Sequence, residues 1–396
     1  MSSHKAKLSV AILLSGREKF SPYYGGALAR WTFEVYSRLA ERVDAVTMGY
    51  PTAASQLYRL PHHTSRASRL CDVVRHIPRI RRYEEKLWLR ALYGQFRRFD
   101  IVHIYNRPQW VGFVRELGYR GAIVLHLQNN HLGHWSCAML DELAPQLDLL
   151  AVCSGFLRDT FAPRSPALAA KCEVVFNGVN TRLFYPRESV REPATIFFVG
   201  RFDREKGVLQ LVQAFARVVE DHPAAQLVIA GSTGFGVHNE TPYVREVRSL
   251  AAALRREKRA LIDFPGYVHH DNDLPAWFQR AAIFACPSLF QEPFGLVNAE
   301  AMACATPVIG SNRGGIPEVL GNTDCLIDPE NIPEFAGALS RLLSQNDHRA
   351  EAGRLAYRRC REMFDWDVIA GHWVNVLENT MMGSRPSSVA AASSCA

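Results

Sequence analysis

The chain has 396 residues, more than one hydrophobic core usually accommodates, which predicts two or three domains. Its apolar share of 48% and charged share of 21% are typical of globular proteins and exclude a mostly disordered chain, a collagen and a disulfide mini-protein. The net charge of +7 and the pI near 9.0 favour an anionic partner without identifying it.

Nine cysteines, an odd number with no C-x-x-C pair, indicate reduced thiols in a cytoplasmic protein. An apolar run at 8–14 follows Lys5 and Lys7, but the charged segment 17–19 stands where a signal peptide would have its cleavage site. We therefore interpret the run as a first buried strand. No apolar stretch reaches the ~18 residues that span a bilayer, so we expect a cytoplasmic protein whose membrane contact is peripheral, on the inner face of the plasma membrane.

Short apolar runs alternate with longer amphipathic stretches along the chain, including 208–220 and 241–256. This alternation predicts an α/β fold of parallel sheets covered by helices on both faces. The predicted strands are 8–15, 43–48, 101–105, 122–127, 149–153, 172–176, 195–200, 226–231, 260–264, 283–287 and 307–311.

The segment YPRESVREP at 185–193 combines prolines and charges without periodicity, and it predicts a linker. We accordingly predict two Rossmann-like domains, at 1–187 and 188–365. A final helix is expected at 366–380, followed by a disordered tail at 381–396 rich in small residues.

The segment 59–98 is the most basic part of the chain, with eleven Lys and Arg against three Asp and Glu. Apolar residues are interleaved with these charges, which predicts one or two basic amphipathic helices. Two interpretations stay open: a solvated helical face, or a surface for anionic lipid or a polyanionic acceptor.

Ligands of parallel sheets bind beyond the carboxyl ends of the strands, so the residues after each predicted strand are the candidates. Gly25 and Gly26 precede a predicted helix, where free amides suit a phosphate or a sugar hydroxyl, although a simple tight turn explains them equally well. They do not form a G-x-G-x-x-G fingerprint, so a nicotinamide cofactor is not indicated.

His126 lies at the end of the fourth long strand, where we expect its side chain to reach a cleft. His131, His134, Cys137 and Asp141 follow, but their spacing matches no zinc site, and we do not predict a metal.

Arg201 and Lys206 lie five positions apart in a turn after the strand at 195–200. Such a pair can clamp a diphosphate, with arginine as a fork and lysine as a point charge. A solvated charged turn is the alternative.

The segment from Glu292 to Glu300 carries the strongest signal. Pro293 suits the first position of a helix, so we expect a helix from there, with Glu292 in the preceding loop and Glu300 two turns inside. The amides of Gly295, Leu296 and Val297 would then be free to receive an anion. Two carboxylates around an anion-binding helix start are hard to explain structurally and predict a binding site, in which Glu300 can accept from ribose hydroxyls while Glu292 meets a sugar.

These residues together resemble the family-4 retaining glycosyltransferases of the GT-B fold, over nearly the whole chain. EPFGLVNAE at 292–300 is similar to the E-x7-E signature of that family. VGRFDREKG at 199–207 and FNGVNTRLFYP at 176–186 match two further patterns. The resemblance implies two Rossmann-like domains facing each other across a cleft, an acceptor bound by the first, a donor bound by the second, and a last helix that returns to the first.

The resemblance also implies a role for each candidate residue. Arg201 and Lys206 would neutralise the donor diphosphate, Glu300 would hold the ribose, and Glu292 would orient the transferred sugar. The remaining implied donor contacts are the amides around Phe294–Leu296, the Val268 backbone, a His126 contact with a sugar hydroxyl, and Gly26.

The donor implied by the resemblance is a UDP- or GDP-sugar, and the acceptor is a hydroxyl of a glycan, a lipid-linked compound or a small molecule, in envelope or exopolysaccharide biosynthesis. No cofactor and no metal are implied. Asp271-Asn272-Asp273 forms a D-x-D, which we interpret as a loop and helix cap before Leu274.

Three alternatives stay open. A sugar-nucleotide epimerase or phosphorylase shares the fold, although a pyridoxal phosphorylase would need a longer chain and a cofactor lysine. A glycan-binding or coat protein could keep the fold without turnover. Nucleic-acid binding would explain the positive charge, but no recognition motif supports it, and we expect no nucleic-acid partner.

Overall fold

The computed structural model describes the chain in seven stretches, which are residues 7–14, 20, 26–49, 60–64, 83–233, 240–321 and 323–383. Gly25, about half of the basic segment 59–98 and nearly all of the predicted tail lie outside the described residues. No helix within these stretches is long and apolar enough to cross a bilayer.

The contacts divide the chain into two compact units, Met1–Phe176 with Asp367–Ala396, and Asn177–Trp366. The division precedes the predicted domain boundary at residue 187. The reason is that the Val179 amide donates to the Phe364 carbonyl at 2.7 Å, which ties the segment after residue 176 to the second unit. The prolines and charged residues at 185–193 therefore mark a polar stretch inside the second unit, not the boundary between the two units.

Every described strand in the two sheets runs parallel to its neighbours, which confirms the predicted fold class. The strands of the first unit are β1 Leu8–Leu13, β2 Val43–Gly49, β3 His62–Thr64, β4 Ile101–Tyr105, β5 Ala122–Leu127, β6 Leu149–Val152 and β7 Cys172–Val174. Those of the second unit are β8 Thr195–Val199, β9 Gln226–Ala230, β10 Leu261–Gly266, β11 Ile283–Cys286, β12 Val308–Ser311 and β13 Leu326–Ile327.

The order of the strands is β3-β2-β1-β4-β5-β6-β7 in the first sheet and β10-β9-β8-β11-β12-β13 in the second. In each sheet the chain starts in the middle, builds to one edge and then crosses back to build the other. The strand order therefore reverses between β1 and β4 and between β8 and β11, and a crevice opens at such a reversal.

Helices connect the strands. They are α1 Ala27–Arg38, α2 Glu84–Phe96, α3 Gln109–Glu116, α4 Cys137–Leu143, α5 Gly155–Asp159, α6 Pro166–Ala169, α7 Val208–Asp221, α8 Pro242–Glu257, α9 Leu274–Arg280, α10 Leu296–Ala303, α11 Ile316–Leu320, α12 Ile332–Ser344, α13 Asn346–Met363 and α14 Trp366–Met381. The apolar period of 208–220 explains α7, because Val208, Leu211, Val212 and Phe215 form its buried face.

The sequence analysis missed β3 and β13. The first has three residues, two of them histidines, and the second has two residues. Each is an edge strand held by pairing with one neighbour, so neither contains the apolar run by which strands were recognised.

An aromatic cluster joins α14 to the first unit. The Trp373 indole lies edge-on to Trp31 with ring centroids 5.3 Å apart, and its N–H donates to the Tyr36 hydroxyl at 3.1 Å. That hydroxyl contacts His103 Nδ1 at 2.8 Å, and the His103 ring stacks on His126 at 5.5 Å. All five side chains are fully buried, so the last helix completes the core of the first unit.

This cluster predicts how the chain responds to changes at Trp373. Trp373→Ala removes the ring and leaves a cavity, with an expected loss of about 3–5 kcal/mol of unfolding free energy. Trp373→Phe keeps most of the packing and removes the donor to Tyr36, with an expected loss of about 1 kcal/mol. Urea unfolding followed by circular dichroism measures both, and equal small losses would show that α14 contributes little to this core.

Candidate functional site

Two charged side chains meet where the strand order of the second sheet reverses. Lys206 lies in the loop after β8, Glu292 lies in the loop after β11, and the Lys206 ammonium donates to Glu292 Oε1. Both side chains are largely buried, with 21% and 11% of their surface exposed. The sequence predicted both residues as site residues but not their ion pair.

The loop after β8 is held in place by local bonds. The Asp203 carboxylate accepts from the Lys206 amide at 3.2 Å and caps a short turn over Arg204–Lys206. The Leu289 amide donates to the Glu205 carbonyl at 2.7 Å, which joins this loop to the one after β11. The Lys206 ammonium also lies 5.3 Å from the centre of the Phe290 ring, a cation–π distance.

Glu292 is positioned from two further sides. The Ser288 hydroxyl donates to Glu292 Oε1 at 2.6 Å, and the Gly315 amide donates to the Glu292 carbonyl at 2.7 Å. Gly314 adopts φ +63°, and a Cβ there would lie 2.2 Å from the Glu292 carbonyl oxygen. Only glycine therefore allows the loop after β12 to approach this closely.

Arg201 is more exposed than Lys206, with 58% of its side chain accessible. Its guanidinium contacts Asp203 at 3.1 Å and Glu205 at 3.5 Å, both within its own loop. Arg201 and Lys206 thus lie in one loop, as predicted, but they pair with different carboxylates.

The helix expected from Pro293 begins at Leu296 instead, because Gly295 adopts a left-handed φ of +85° at its N-cap. The amides of Leu296 and Val297 in the first turn have no partner within the helix and are suited to an anion, whereas the Asn298 amide donates to the Gly295 carbonyl at 2.9 Å. The Phe294 ring is 2% exposed and packs against Phe364.

Glu300 lies in the second turn of α10 and is only 3% exposed. Its Oε1 is 2.6 Å from His270 Nε2, and no described residue hydrogen-bonds its buried Oε2. The loop that carries His270 also carries Val268, whose backbone amide and carbonyl make no hydrogen bond to another described residue. The sequence analysis did not identify His270, because nothing in its local pattern indicates a contact 30 positions away.

The D-x-D segment occupies the same loop. Asp273 is the N-cap residue of α9, but its side chain makes no capping bond, and Asp271 Oδ1 is 2.6 Å from His270 Nδ1. Asp273 thus occupies the predicted cap position before Leu274, without a bond from its side chain.

Cys286 ends β11 beside Lys206 and Glu292. Burial, with a smaller contribution from the Glu292 charge, raises the pKa of its thiol to about 12. The thiol is therefore protonated near neutral pH, and the nucleophilic thiolate is scarce.

His126 differs from its expected placement. Its side chain is fully buried, and its ring lies 4.7 Å from that of Trp31. Gln128, which directly follows β5, is also buried at 7% exposure, and its Nε2 lies 3.3 Å from His126 Nε2. A contact between His126 and a donor hydroxyl would need the ring to become accessible.

Gly26 is a further candidate of the first unit that the structure describes. Gly26 is the N-cap residue of α1, and its carbonyl accepts from the Arg30 amide at 3.2 Å. Within the described stretches, no group of three or more His, Cys, Asp and Glu side chains could hold a metal ion.

Comparison with known proteins decides the family. The sequence model of the family described as glycosyl transferases group 1 matches residues 182–359. The protein YtcC of Bacillus subtilis (strain 168) is 30% identical over 303 residues, covering 72% of this chain and 73% of that protein. This chain belongs to the glycosyl transferases group 1 family. It is a glycosyltransferase, as the resemblance implied.

Two further proteins show the range of similarity to this glycosyltransferase. Spore coat protein SA of Bacillus subtilis (strain 168) is 29% identical over 305 residues, covering 71% of this chain and 78% of that protein. The crystal structure of HepE from Anabaena in complex with UDP-glucose is 20% identical with a TM-score of 0.71, covering 94% of this chain and 100% of the other. This likeness confirms the predicted GT-B fold.

The close approach of Gly314 to Glu292 predicts the effect of adding one methyl group. Gly314→Ala should lower the unfolding free energy by about 2 kcal/mol or more, because it combines a left-handed backbone with a steric clash. Gly337→Ala is the matched control: it lies inside α12 with no atom near its Cβ position and should be stabilising by about 0.5–1 kcal/mol. Thermal unfolding measures both, and a neutral Gly314→Ala would mean that the loop after β12 adapts easily.

The buried histidines predict acid destabilisation. Burial lowers the pKa of His126 to about 3 and the pKa of His103 well below its usual range. Between pH 6.5 and 3 the unfolded chain therefore binds more protons than the folded chain, so stability falls as the pH falls through this range. The slope is about 1.4 kcal/mol per pH unit for each histidine that stays neutral.

Urea unfolding between pH 4 and 7 tests this dependence. His126→Gln should reduce the slope by about 1.4 kcal/mol per pH unit. His134→Gln, a change at an exposed histidine after the same strand, is the control. A slope that His126→Gln leaves unchanged would contradict the neutral buried ring.

Proposed function

We propose that the protein is a family-4 retaining glycosyltransferase that moves a sugar from a UDP- or GDP-sugar to a hydroxyl acceptor. The observation that carries the proposal is the Lys206–Glu292 pair at the strand-order reversal, in loops of which the second leads into α10, the helix that carries the buried Glu300. The structure of HepE contains UDP-glucose, which supports a nucleotide-diphosphate sugar as the donor.

The charges suit a reaction in which a diphosphate leaves. As the anomeric C–O bond breaks, negative charge grows on the departing diphosphate, and Arg201, Lys206 and the first amides of α10 would stabilise it. Glu292 is the counter-ion of Lys206 in this structure, and a donor diphosphate would compete for the same ammonium. Glu292 would then be available to a hydroxyl of the transferred sugar.

The proton balance requires no base from the protein. The acceptor oxygen bonds to the anomeric carbon on the face that the diphosphate leaves, and a diphosphate oxygen takes the acceptor proton, so the configuration is retained. Because protein cations supply the positive charge, we expect activity to survive a chelator such as EDTA. Loss of activity on chelation, restored by a divalent ion, would contradict this step.

The first test is a donor screen without acceptor. UDP-, GDP- and ADP-sugars are mixed with the protein, and thermal shift and slow nucleotide release are read for each. We expect one donor to raise the melting temperature, and Glu300→Ala to abolish that shift because the buried carboxylate is lost. No response to any donor would favour the alternative of a glycan-binding or coat protein, to which the similarity with spore coat protein SA also points.

The charge roles are tested with matched variants. Arg201→Ala and Lys206→Ala should each lower kcat by roughly 100-fold or more, as for other preorganised charge contacts. Arg204→Ala, in the same loop, and Lys258→Ala, in an exposed pair with Glu220, should leave kcat unchanged. Rates equal to wild type in the first two variants would refute their roles, and an epimerised donor formed without acceptor would favour the epimerase alternative.

The basic segment 59–98 supports a second part of the proposal, contact with an anionic membrane surface that presents a lipid-linked acceptor in envelope or exopolysaccharide biosynthesis. Its support is the charge balance of the sequence. Exchanging Arg79, Arg81 and Arg82 for glutamine should weaken binding to vesicles containing anionic lipid, measured by sedimentation. Unchanged binding would leave the solvated helical face as the interpretation.

A further inference from the structure

His270 lies between two carboxylates. Its Nδ1 is 2.6 Å from Asp271 Oδ1, and its Nε2 is 2.6 Å from Glu300 Oε1. Asp271 is its neighbour in the chain, whereas Glu300 is 30 positions away on α10. Exposure falls along the series, with 48% of the Asp271 side chain, 31% of His270 and 3% of Glu300 accessible.

Carboxylates at these distances from both ring nitrogens favour a protonated ring. An ionised carboxylate can only accept hydrogen bonds, and a neutral imidazole has one donor. Two ionised carboxylates at hydrogen-bond distance from both ring nitrogens therefore require a doubly protonated imidazolium. The arrangement gives the buried Glu300 a charge-assisted hydrogen bond, which a buried carboxylate needs in order to stay ionised.

Two thiols and an aromatic ring also lie close to this cluster. The thiols of Cys304 and Cys360 lie near Glu300, but burial raises the pKa of each, so both are neutral. The Phe184 ring lies edge-on to His270 with centroids 5.3 Å apart. Among the described residues, His270 is the cation that pairs with Glu300.

The contact also orients the carboxylate. Oε1 is occupied by His270, and the buried Oε2 has no described partner, so Oε2 is the oxygen left for a ligand. The loop itself is held at α9, because the His269 carbonyl accepts from the amides of Asp273 and Leu274, each at 3.0 Å. The imidazole therefore reaches Glu300 from a fixed loop.

We propose that His270 is a positioning residue that holds Glu300 ionised and directs its free oxygen to a ribose hydroxyl of the donor, with Asp271 keeping His270 protonated. This inference rests on the proposed function, in which Glu300 binds the ribose. Its consequence is specificity: preference for a ribonucleotide over its deoxy form depends on a residue that does not itself touch the sugar.

The test measures the affinity of UDP and of its 2′- and 3′-deoxy forms by calorimetry, with GDP and its deoxy forms if the donor screen selects GDP. Wild type should bind UDP about tenfold or more tighter than at least one deoxy form, because a charged acceptor loses its donor. His270→Ala should weaken UDP by about the same factor and leave that deoxy form unchanged, so that the ratio falls towards one. His270→Gln and Asp271→Asn should reduce the ratio less, and His269→Ala should leave it unchanged.

A purely structural role for His270 would weaken UDP and the deoxy forms equally, and that result would overturn the proposal, as would an unchanged UDP affinity in His270→Ala. Failure of wild type to bind any of these nucleotides would refute the proposed function instead. The protonation claim is tested separately by ¹⁵N NMR of the histidine rings in the ligand-free protein at pH 7. We expect an imidazolium at His270 that Asp271→Asn shifts towards the neutral form, and a neutral ring in wild type would overturn the inference.

Discussion

The ion pair between Lys206 and Glu292 is the interaction on which the arrangement of the site depends. Its two residues come from loops that follow β8 and β11, and these strands are neighbours because the strand order reverses between them. An ammonium held in a largely buried position needs a counter-ion, and the neighbouring loop provides one. The chain connectivity thus brings the pair together, and the pair in turn holds the two loops at one crevice.

A second carboxylate is held in a different way. Glu300 lies deeper than Glu292, and its cation is an imidazolium from the loop after β10 rather than a lysine. Lysine is a point charge on a long stem, so it can exchange its carboxylate for a phosphate with little rearrangement. An imidazolium held between two carboxylates is fixed in place. The two glutamates of the E-x7-E signature are therefore suited to different tasks. Glu292 can exchange its cationic partner, whereas Glu300 keeps its own.

Much of the fold followed from local patterns. The continuous apolar runs located eleven strands because a strand buried on both faces must be apolar throughout. The same criterion could not detect His62–Thr64 or Leu326–Ile327, which are short edge strands defined by their neighbours. Helix α10 begins at Leu296 and not at Pro293 as predicted, because the left-handed Gly295, and not the proline, determines where helical geometry begins.

The sequence predicted the main residues of the candidate site but not the contacts between them. Spacing and residue type identified Glu292, Glu300 and Lys206, because each stands directly after a strand or in the helix that follows one. Spacing could not reveal which charges pair, since His270 and Glu300 meet only when the sheet brings the loop after β10 next to α10. It also could not reveal the burial of His126, because the Trp373 ring that packs against it comes from the last helix.

The histidines of this chain show how the surroundings of a side chain determine its protonation state. His103 and His126 are enclosed by aromatic rings, and burial without a carboxylate partner keeps them neutral. His270 is partly exposed and faces two carboxylates, which favour the imidazolium. The neutral pair is suited to packing the core of the first unit, where a charge would be costly. The charged ring is suited to the second unit, where a carboxylate must stay ionised while it is buried. The protonation state of each histidine therefore follows from what surrounds it, and that state determines whether the residue supports the fold or the site.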